Sequence, residues 1–320
     1  MSSPSTLFRW AQLVRLPNTF TIIADVTAAF LLVAQGGQPV VRLVAVVLAG
    51  ILLYWAGMVL NDVFDIEKDR VERPGRPLPA GHISLPAARR AGWGLLLGGV
   101  VLAAISGYLP ADGLAGSWRP AAVAIVLAIM IVAYDGPFKG SPAAPLLMGL
   151  CRFLSFLLGA SVVFSDPMTG LADFAPKHVW TFAAGMGVYI MGVTNMARHE
   201  ADQQGRSPTL PIGLVVAMAG AVLLALAPSM APAGVAWRVS PDRGFPMLVG
   251  LIAVAVFVRG IRAILDPQPV NLQMLIRVAV LTVIPFSAAI ALLAAGPVWA
   301  IGIFALVVPA IVLSARFRVT

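Results

Sequence analysis

The sequence predicts an all-α protein: a polytopic bundle of about nine or ten transmembrane helices, with polar cap loops on the cytoplasmic side. Two observations lead to this prediction. Of the 320 residues, 59% are hydrophobic and only 11% are charged, whereas a soluble domain carries roughly 25% charged residues. Apolar stretches of about 20 residues also recur along the whole chain, and each is long enough to cross a hydrocarbon core of ~30 Å.

The apolar stretches alternate with polar connections of unequal basic content. The predicted spans are residues 17–36, 41–61, 87–109, 119–134, 144–165, 178–197, 211–231, 245–265, 271–294 and 297–315. Lys and Arg concentrate before the first span and after the even-numbered ones. The positive-inside rule therefore places both termini and these loops in the cytoplasm. The segment AAGPVWA could be a kink in one long element rather than a turn, which leaves nine or ten crossings.

We expect one domain over residues 1–320, because no Ser/Gly linker or low-complexity tract divides the chain. Two polar loops, at about 62–86 and 198–210, are the predicted caps. They share a pattern, since DIEKD in the first aligns with RHEAD in the second, and a Gly-Arg and a Leu-Pro follow each. Either this is chance, or a duplicated helical unit places two polar loops across a central cavity, as internal repeats do in many membrane folds.

The first loop begins with the stretch NDVFDIEKDR, directly after an apolar run. Asn61, Asp65 and Asp69 stand at i, i+4 and i+8, so on a helix they project from one face. Two carboxylates and an amide oxygen are ligands that Mg²⁺ prefers, usually together with substrate phosphates. Arginines nearby could bind a diphosphate through charge-assisted hydrogen bonds. The alternative is a solvated loop that pairs its acids with its own cations.

Four segments carry a resemblance to a known family. They are RLPN at 15–18, NDVFDIEKDRVERPGRPLPAG at 61–81, YDGPFK at 134–139 and TLP at 209–211. In this order they resemble the signatures of the UbiA superfamily of intramembrane prenyltransferases, over about residues 10–215. The resemblance implies a ring of nine transmembrane helices, with a prenyl chain in a groove that opens to the lipid.

The second aspartate motif departs from the family pattern. That motif usually reads Asp-x-x-Asp-x-x-x-Asp, and the matching positions here are Asn195, Arg198 and Asp202. A second Mg²⁺ could use Asp202, Glu200 and the Asn195 amide. Alternatively, Arg198 binds the diphosphate itself in place of a metal, or catalysis is lost.

Carried onto this sequence, the resemblance implies a set of site residues around Mg²⁺. The metal ligands would be Asn61, Asp65, Asp69 and Asp202. The diphosphate would contact Arg15, Asn18, Arg73, Lys139, Arg152 and Arg198. The catalytic set would be Asp62, Asp65, Asp69, Glu200 and Asp202, with Asp62 or Glu200 taking a proton from the acceptor.

Two of these cations have simpler interpretations. Lys139, in the loop GPFKGSP, could be a positive-inside anchor only. Arg152 lies within an apolar run, where a guanidinium needs a partner or a wet cavity. It either snorkels to the membrane surface or faces the central cavity.

The resulting functional hypothesis is Mg²⁺-dependent transfer of a prenyl group from a prenyl diphosphate to an aromatic or lipid acceptor. The protein would work among membrane lipids, with no nucleic-acid partner. One alternative is a non-catalytic relative that binds prenyl diphosphate. Another is a transporter, which would place acids in the middle of the spans. The acids here cluster at loop edges, and Asp25 is the main exception.

Overall fold

The structure is a computed structural model, and it describes residues 5–164, 171–202 and 209–317. In these ranges the chain is helical and contains no strand. Two short 3₁₀ helices cover Leu171–Phe174 and Ala227–Met230. The α-helices are α1 Thr6–Leu13, α2 Leu16–Ala34, α3 Val40–Phe64, α4 Ile66–Glu72, α5 Leu85–Ser106, α6 Arg119–Asp135, α7 Ala144–Ser161, α8 Lys177–Asp202, α9 Thr209–Leu226, α10 Gly244–Leu265, α11 Pro269–Leu281, α12 Val283–Ala295, α13 Pro297–Ala305 and α14 Val307–Arg316.

Each predicted span coincides with a helix or with two adjoining helices. Eight helical stretches in the described residues are long and apolar enough to cross a membrane, and the pairs α11–α12 and α13–α14 each count as one stretch. The segment AAGPVWA is a turn and not a kink. Gly296 there has φ 95°, a conformation that side chains with a Cβ rarely adopt, and α13 packs back against α12. The exact number of crossings stays a prediction.

Proline fixes the starts of many of these helices. A proline in the first helical turn has a preset φ and lacks only an N–H that would have no partner inside the helix. The helices α2, α5, α6, α7, α11 and α13 all begin this way. Prolines therefore mark the starts of these six helices.

Small residues bring the central helices close together. At Gly149 of α7, an added Cβ would lie 2.7 Å from the carbonyl oxygen of Gly187 in α8. Backbones approach to this distance in membrane bundles where both positions lack a side chain. The contact fixes the height of α7 against α8, and with it the height of Arg152, one turn further along α7.

Arg42 secures the end of the bundle opposite the predicted caps. Its side chain is 2% exposed and donates to four backbone carbonyls: Leu109, Leu114, Ala115 and Val162. Carbonyls beyond helix ends lack intrahelical partners, so one guanidinium satisfies several of them at once. This contact ties α3 to the loop between α5 and α6 and to the end of α7.

Candidate active site

The predicted row of polar side chains runs through a helix break without losing its register. α3 ends at Phe64 and α4 begins at Ile66, with Asp65 between them. The Asp65 N–H still donates to the carbonyl oxygen of Asn61 (3.1 Å), and the Asp69 N–H donates to that of Asp65 (2.8 Å). Because this i to i+4 bonding continues, Asn61, Asp65 and Asp69 remain stacked along one line, as the spacing predicts.

The carboxylates of this row pair with two cations, one in the α6–α7 loop and one further along the first cap loop. Lys139, in the loop between α6 and α7, pairs with Asp65. Arg76, in the first cap loop, donates to Asp69 at 2.6 Å and lies 3.4 Å from Asp62. Lys139 is 74 residues from Asp65 in sequence, and Arg76 is 7 residues from Asp69. The first cap loop and the α6–α7 loop therefore both fold over the end of α3.

The alternative of a loop that pairs its own charges holds for the other face of α4. Glu67 pairs with Arg70 at 2.8 Å, and Lys68 pairs with Glu72 at 3.8 Å, all with exposed side chains. Surface pairs of this kind contribute little. By contrast, the Asp69 side chain is 3% exposed. The short helix therefore separates an outward face from an inward face, and only the inward face belongs to the site.

Asp135 is a site residue that sequence reasoning missed. It ends α6, is 3% exposed, and accepts a 2.8 Å hydrogen bond from the side-chain amide of Asn61. With its N–H group engaged there, the amide oxygen is the atom of Asn61 left to bind a cation. The residue was visible within the segment YDGPFK, but nothing in that segment shows which helix Asp135 faces.

A cavity of about 350 Å³ opens below these groups, between α2, α3, α6, α7, α8 and α11. Arg15, Asn18 and Asp135 line its polar end. The remainder is mostly apolar, and α3 contributes Gly50, Leu53 and Gly57 to its wall. A cavity with a charged end and an apolar body suits an amphiphile with an anionic head.

Arg152 faces this cavity and does not snorkel to the surface. Its side chain is 8% exposed and lies 3.2 Å from a carboxylate oxygen of Asp25, which is fully buried in α2. It also donates to the hydroxyl of Thr21 at 3.1 Å. The mid-span acid that the sequence left without a role is thus the partner that an intramembrane arginine requires.

The other predicted site residues are placed less centrally. Arg15 lies 3.6 Å from Asp62, and Asn18, one turn into α2, lines the cavity. Arg73 is exposed at the end of α4, so Arg76 is the cap-loop arginine that reaches the acids. The role of Arg73 stays a prediction.

The second motif lies at the end of α8. Asn195 donates its side-chain amide to the carbonyl oxygen of Thr209 at 3.1 Å, which joins α8 to α9. Arg198 is half-buried. The side chains of Glu200 and Asp202 lie outside the described residues, as do residues 203–208 of the second cap loop. In the part of the chain that the structure describes, no three acidic, His or Cys side chains gather as a metal cluster.

Comparison with known proteins places this arrangement in a family. Residues 23–273 match the model of the UbiA prenyltransferase family, which is more than half of the chain. The chain belongs to this family. The predicted family is thereby confirmed, and three of the four short segments, 61–81, 134–139 and 209–211, lie within the matched residues.

Individual relatives agree with this assignment. The digeranylgeranylglyceryl phosphate synthase of Methanoculleus marisnigri is 32% identical over 152 residues, which cover 47% of this chain and 48% of that relative. The matched stretch thus spans about half of the relative's length.

Solved structures of similar proteins share the fold. A digeranylgeranylglyceryl phosphate synthase has a TM-score of 0.62 at 18% identity, covering 90% of this chain and 98% of that one. A UbiA homologue from Archaeoglobus fulgidus, bound to GPP and Mg²⁺, has a TM-score of 0.55 at 14% identity, covering 88% and 99%. The predicted all-α membrane bundle is confirmed.

Proposed function

We propose that this UbiA family member is an Mg²⁺-dependent intramembrane prenyltransferase that moves a prenyl group from a prenyl diphosphate to a lipid acceptor. The main observation is the 350 Å³ amphipathic cavity, whose polar end carries Asp135 and lies beside the acid–cation pairs of α3 and α4. Of the two acceptor classes that the sequence left open, a lipid is favoured, because two similar proteins are named digeranylgeranylglyceryl phosphate synthase.

The residues present fit Mg²⁺. Asp65, Asp69 and the free amide oxygen of Asn61 are hard oxygen ligands on one line, and Mg²⁺ typically takes one or two carboxylates together with substrate phosphates. A cluster of three acids within the described residues is therefore not required. Bound Mg²⁺ would neutralise the diphosphate and stabilise the charge that develops as it leaves.

The cations of the site are placed to exchange partners when a substrate binds. Lys139 and Arg76 each hold a carboxylate of the row. If Mg²⁺ held these carboxylates, Lys139 would be free to donate to the diphosphate oxygens, and Arg76 would keep Asp62 as its partner. Fixed donors aimed at the leaving oxygen stabilise the transition state more than the ground state, and Arg152 adds charge on the cavity wall.

The reaction that follows needs an acceptor nucleophile and a base. The bond between the allylic carbon and the diphosphate oxygen breaks, a hydroxyl oxygen of the acceptor forms a new bond to that carbon, and its proton leaves to a carboxylate. Asp62 and Glu200 are the proposed bases. The apolar wall of the cavity excludes water, which would otherwise capture the allylic cation.

The basic residues at one end of the bundle determine its proposed orientation in the membrane. Arg15, Arg76 and Lys139 all lie at the polar end of the bundle. The positive-inside rule assigns an end rich in basic residues to the cytoplasm. We therefore place both cap loops, about 62–86 and 198–210, on the cytoplasmic side of a single domain, 1–320.

Diphosphate release from the purified protein in lipid vesicles tests the proposal. C10 to C20 prenyl diphosphates are offered together with aromatic and lipid acceptors, with and without Mg²⁺. We expect Mg²⁺-dependent release in the wild type and none in Asp65→Asn. Glu67→Gln is the matched control, because Glu67 lies on the outward face of α4 and should leave the rate unchanged.

The product mass identifies the acceptor. If release is absent while Mg²⁺-dependent prenyl diphosphate binding persists, the protein is a non-catalytic binder, which the altered second motif would explain. If binding is absent as well, prenyl transfer is the wrong function.

A further inference from the structure

A second cavity lies beside the reaction cavity. It has a volume of about 310 Å³ and is bounded by the junction of α1 and α2, the end of α3, the first cap loop and the end of α14. Its polar lining consists of Gln12, Arg15, Asn18, Asp62, Arg76 and Ser314. Arg15 and Asn18 also line the reaction cavity, so the two cavities share a wall.

This second cavity has an excess of cationic donors. Arg15 and Arg76 both approach the same oxygen of Asp62, at 3.6 and 3.4 Å, and Arg76 also holds Asp69. One nitrogen of each guanidinium makes these contacts, whereas a guanidinium carries five N–H donors. Two arginines that share one lining carboxylate therefore retain donors for a further anion.

Two neutral side chains of the cavity also carry hydrogen-bond donors. Arg9 donates to the side-chain oxygen of Gln12 at 3.4 Å, which leaves the N–H groups of that amide for another partner. Ser314 adds a hydroxyl at the end of α14.

The backbone holds Arg15 at this junction in an uncommon conformation. It has φ 49°, in the left-handed region that residues other than glycine rarely adopt, and such residues concentrate at functional sites.

From this geometry we infer that the second cavity binds the phosphate monoester headgroup of the lipid acceptor. The inference rests on the proposed function, in which the donor diphosphate is assigned to the Asp65, Asp69 and Lys139 side of the site. A second anionic group then needs a second cationic site next to the reacting atoms. The shared wall formed by Arg15 and Asn18 would place the acceptor hydroxyls, a few bonds from the phosphate, at the edge of the reaction cavity.

Ser314→Asp tests this assignment, with Ser314→Asn as the matched control. Ser314 is half-buried and outside the proposed catalytic set. The Asp variant adds one negative charge to the cavity, and the Asn variant adds the same bulk without charge. We expect the acceptor KM to rise at least about tenfold in the Asp variant, because like charges in a small cavity repel strongly. The KM for the prenyl diphosphate should stay unchanged in both variants.

A binding experiment separates this inference from the proposed function. A long-chain alkylglycerol phosphate, the same alkylglycerol without phosphate, and glycerol phosphate are titrated onto the purified protein without any prenyl donor. We expect the lipid phosphate to bind at least about tenfold more tightly than the other two, and Ser314→Asp to remove its advantage over the alkylglycerol that lacks phosphate. This result would support the site even if no turnover is seen.

Three results would overturn the inference. Equal binding of the alkylglycerol with and without phosphate would exclude an anion site. Equal binding of glycerol phosphate would assign the cavity to a soluble phosphate monoester. A rise in prenyl diphosphate KM in place of acceptor KM would assign it to the donor. If Ser314→Asp does not fold, Gln12→Glu supplies a negative charge at constant size against the wild-type amide.

Discussion

The hydrogen bond between Asn61 and Asp135 yields a quantitative prediction. Asn61 is 7% exposed and Asp135 is 3% exposed, so Asp135→Ala leaves a buried amide N–H without its acceptor. A buried donor without an acceptor lowers stability by about 1–3 kcal/mol. The Asn61 amide can avoid this cost by rotating towards other partners. Rotation would turn its oxygen away from the position at which we expect Mg²⁺.

We expect Asp135→Ala to raise the Mg²⁺ concentration for half-maximal activity about 10- to 100-fold, the usual cost of losing the group that orients a metal ligand. Asp135→Asn keeps an oxygen that can accept from Asn61, and it should raise this concentration by less than about threefold on the same principle. Mg²⁺-dependent binding of prenyl diphosphate is the second readout, because it does not depend on turnover.

Equal losses in the two Asp135 variants would refute this reasoning. The negative charge of Asp135, and not its hold on Asn61, would then be the property that matters. Unchanged Mg²⁺ dependence in Asp135→Ala would refute the orienting role altogether. Thermal unfolding in detergent checks that both variants are folded before either result is interpreted.

Three further predictions concern cations in different surroundings: the candidate site, the cavity wall and the opposite end of the bundle. Lys139→Met should lower kcat/KM for the prenyl diphosphate by about 100-fold or more through loss of a charged donor. Arg73→Met, at an exposed position, should change it by less than about threefold. Steady-state kinetics in vesicles measure both, and equal losses in the two variants would contradict the different placement of these cations. Asp25→Leu should destabilise the protein by about 3–5 kcal/mol, because it leaves the buried charge of Arg152 without a partner. The double change of Asp25 and Arg152 to Leu should recover most of that stability but not the donor affinity, and additive losses in stability would contradict a direct pair. Arg42→Met should lower the unfolding free energy by several kcal/mol, since up to four carbonyls lose a donor at about 1–3 kcal/mol for each one left unsatisfied; a change in the melting temperature of less than about 2 °C would contradict this.

Much of the site could be predicted because its information is local in sequence. The row formed by Asn61, Asp65 and Asp69 depends only on helical spacing, and the spacing persists even though α3 breaks at Asp65. The positions of the spans followed from hydropathy. The resemblance selected segments whose side chains meet at the end of α3, because its motifs are contiguous in sequence.

The parts that sequence reasoning missed depend on contacts between distant segments. Asp135 and Asn61 are 74 residues apart, and periodicity within α6 does not reveal which helix its end will meet. The choice between Arg73 and Arg76 depends on the path of the cap loop, which turns after α4 and brings Arg76 back to Asp62 and Asp69. The partners of Arg42 are backbone carbonyls, and these leave no mark in the order of side chains.

The unbroken helix α3 has a consequence for the length of prenyl chain that the proposed site would accept. This helix carries Asn61 near its charged end and Gly57, Leu53 and Gly50 along the cavity wall. The helical rise therefore fixes the distance from Asn61 to Gly50 at about 16 Å. A prenyl diphosphate bound with its head group beside Asn61 would extend its chain along this wall towards Gly50. A Cβ on Gly50 would lie 3.0 Å from a methyl carbon of Val26, so the glycine allows α2 and α3 to pack closely at this depth of the cavity. In the proposed site, α3 would therefore both position the diphosphate and set the depth available to the prenyl chain.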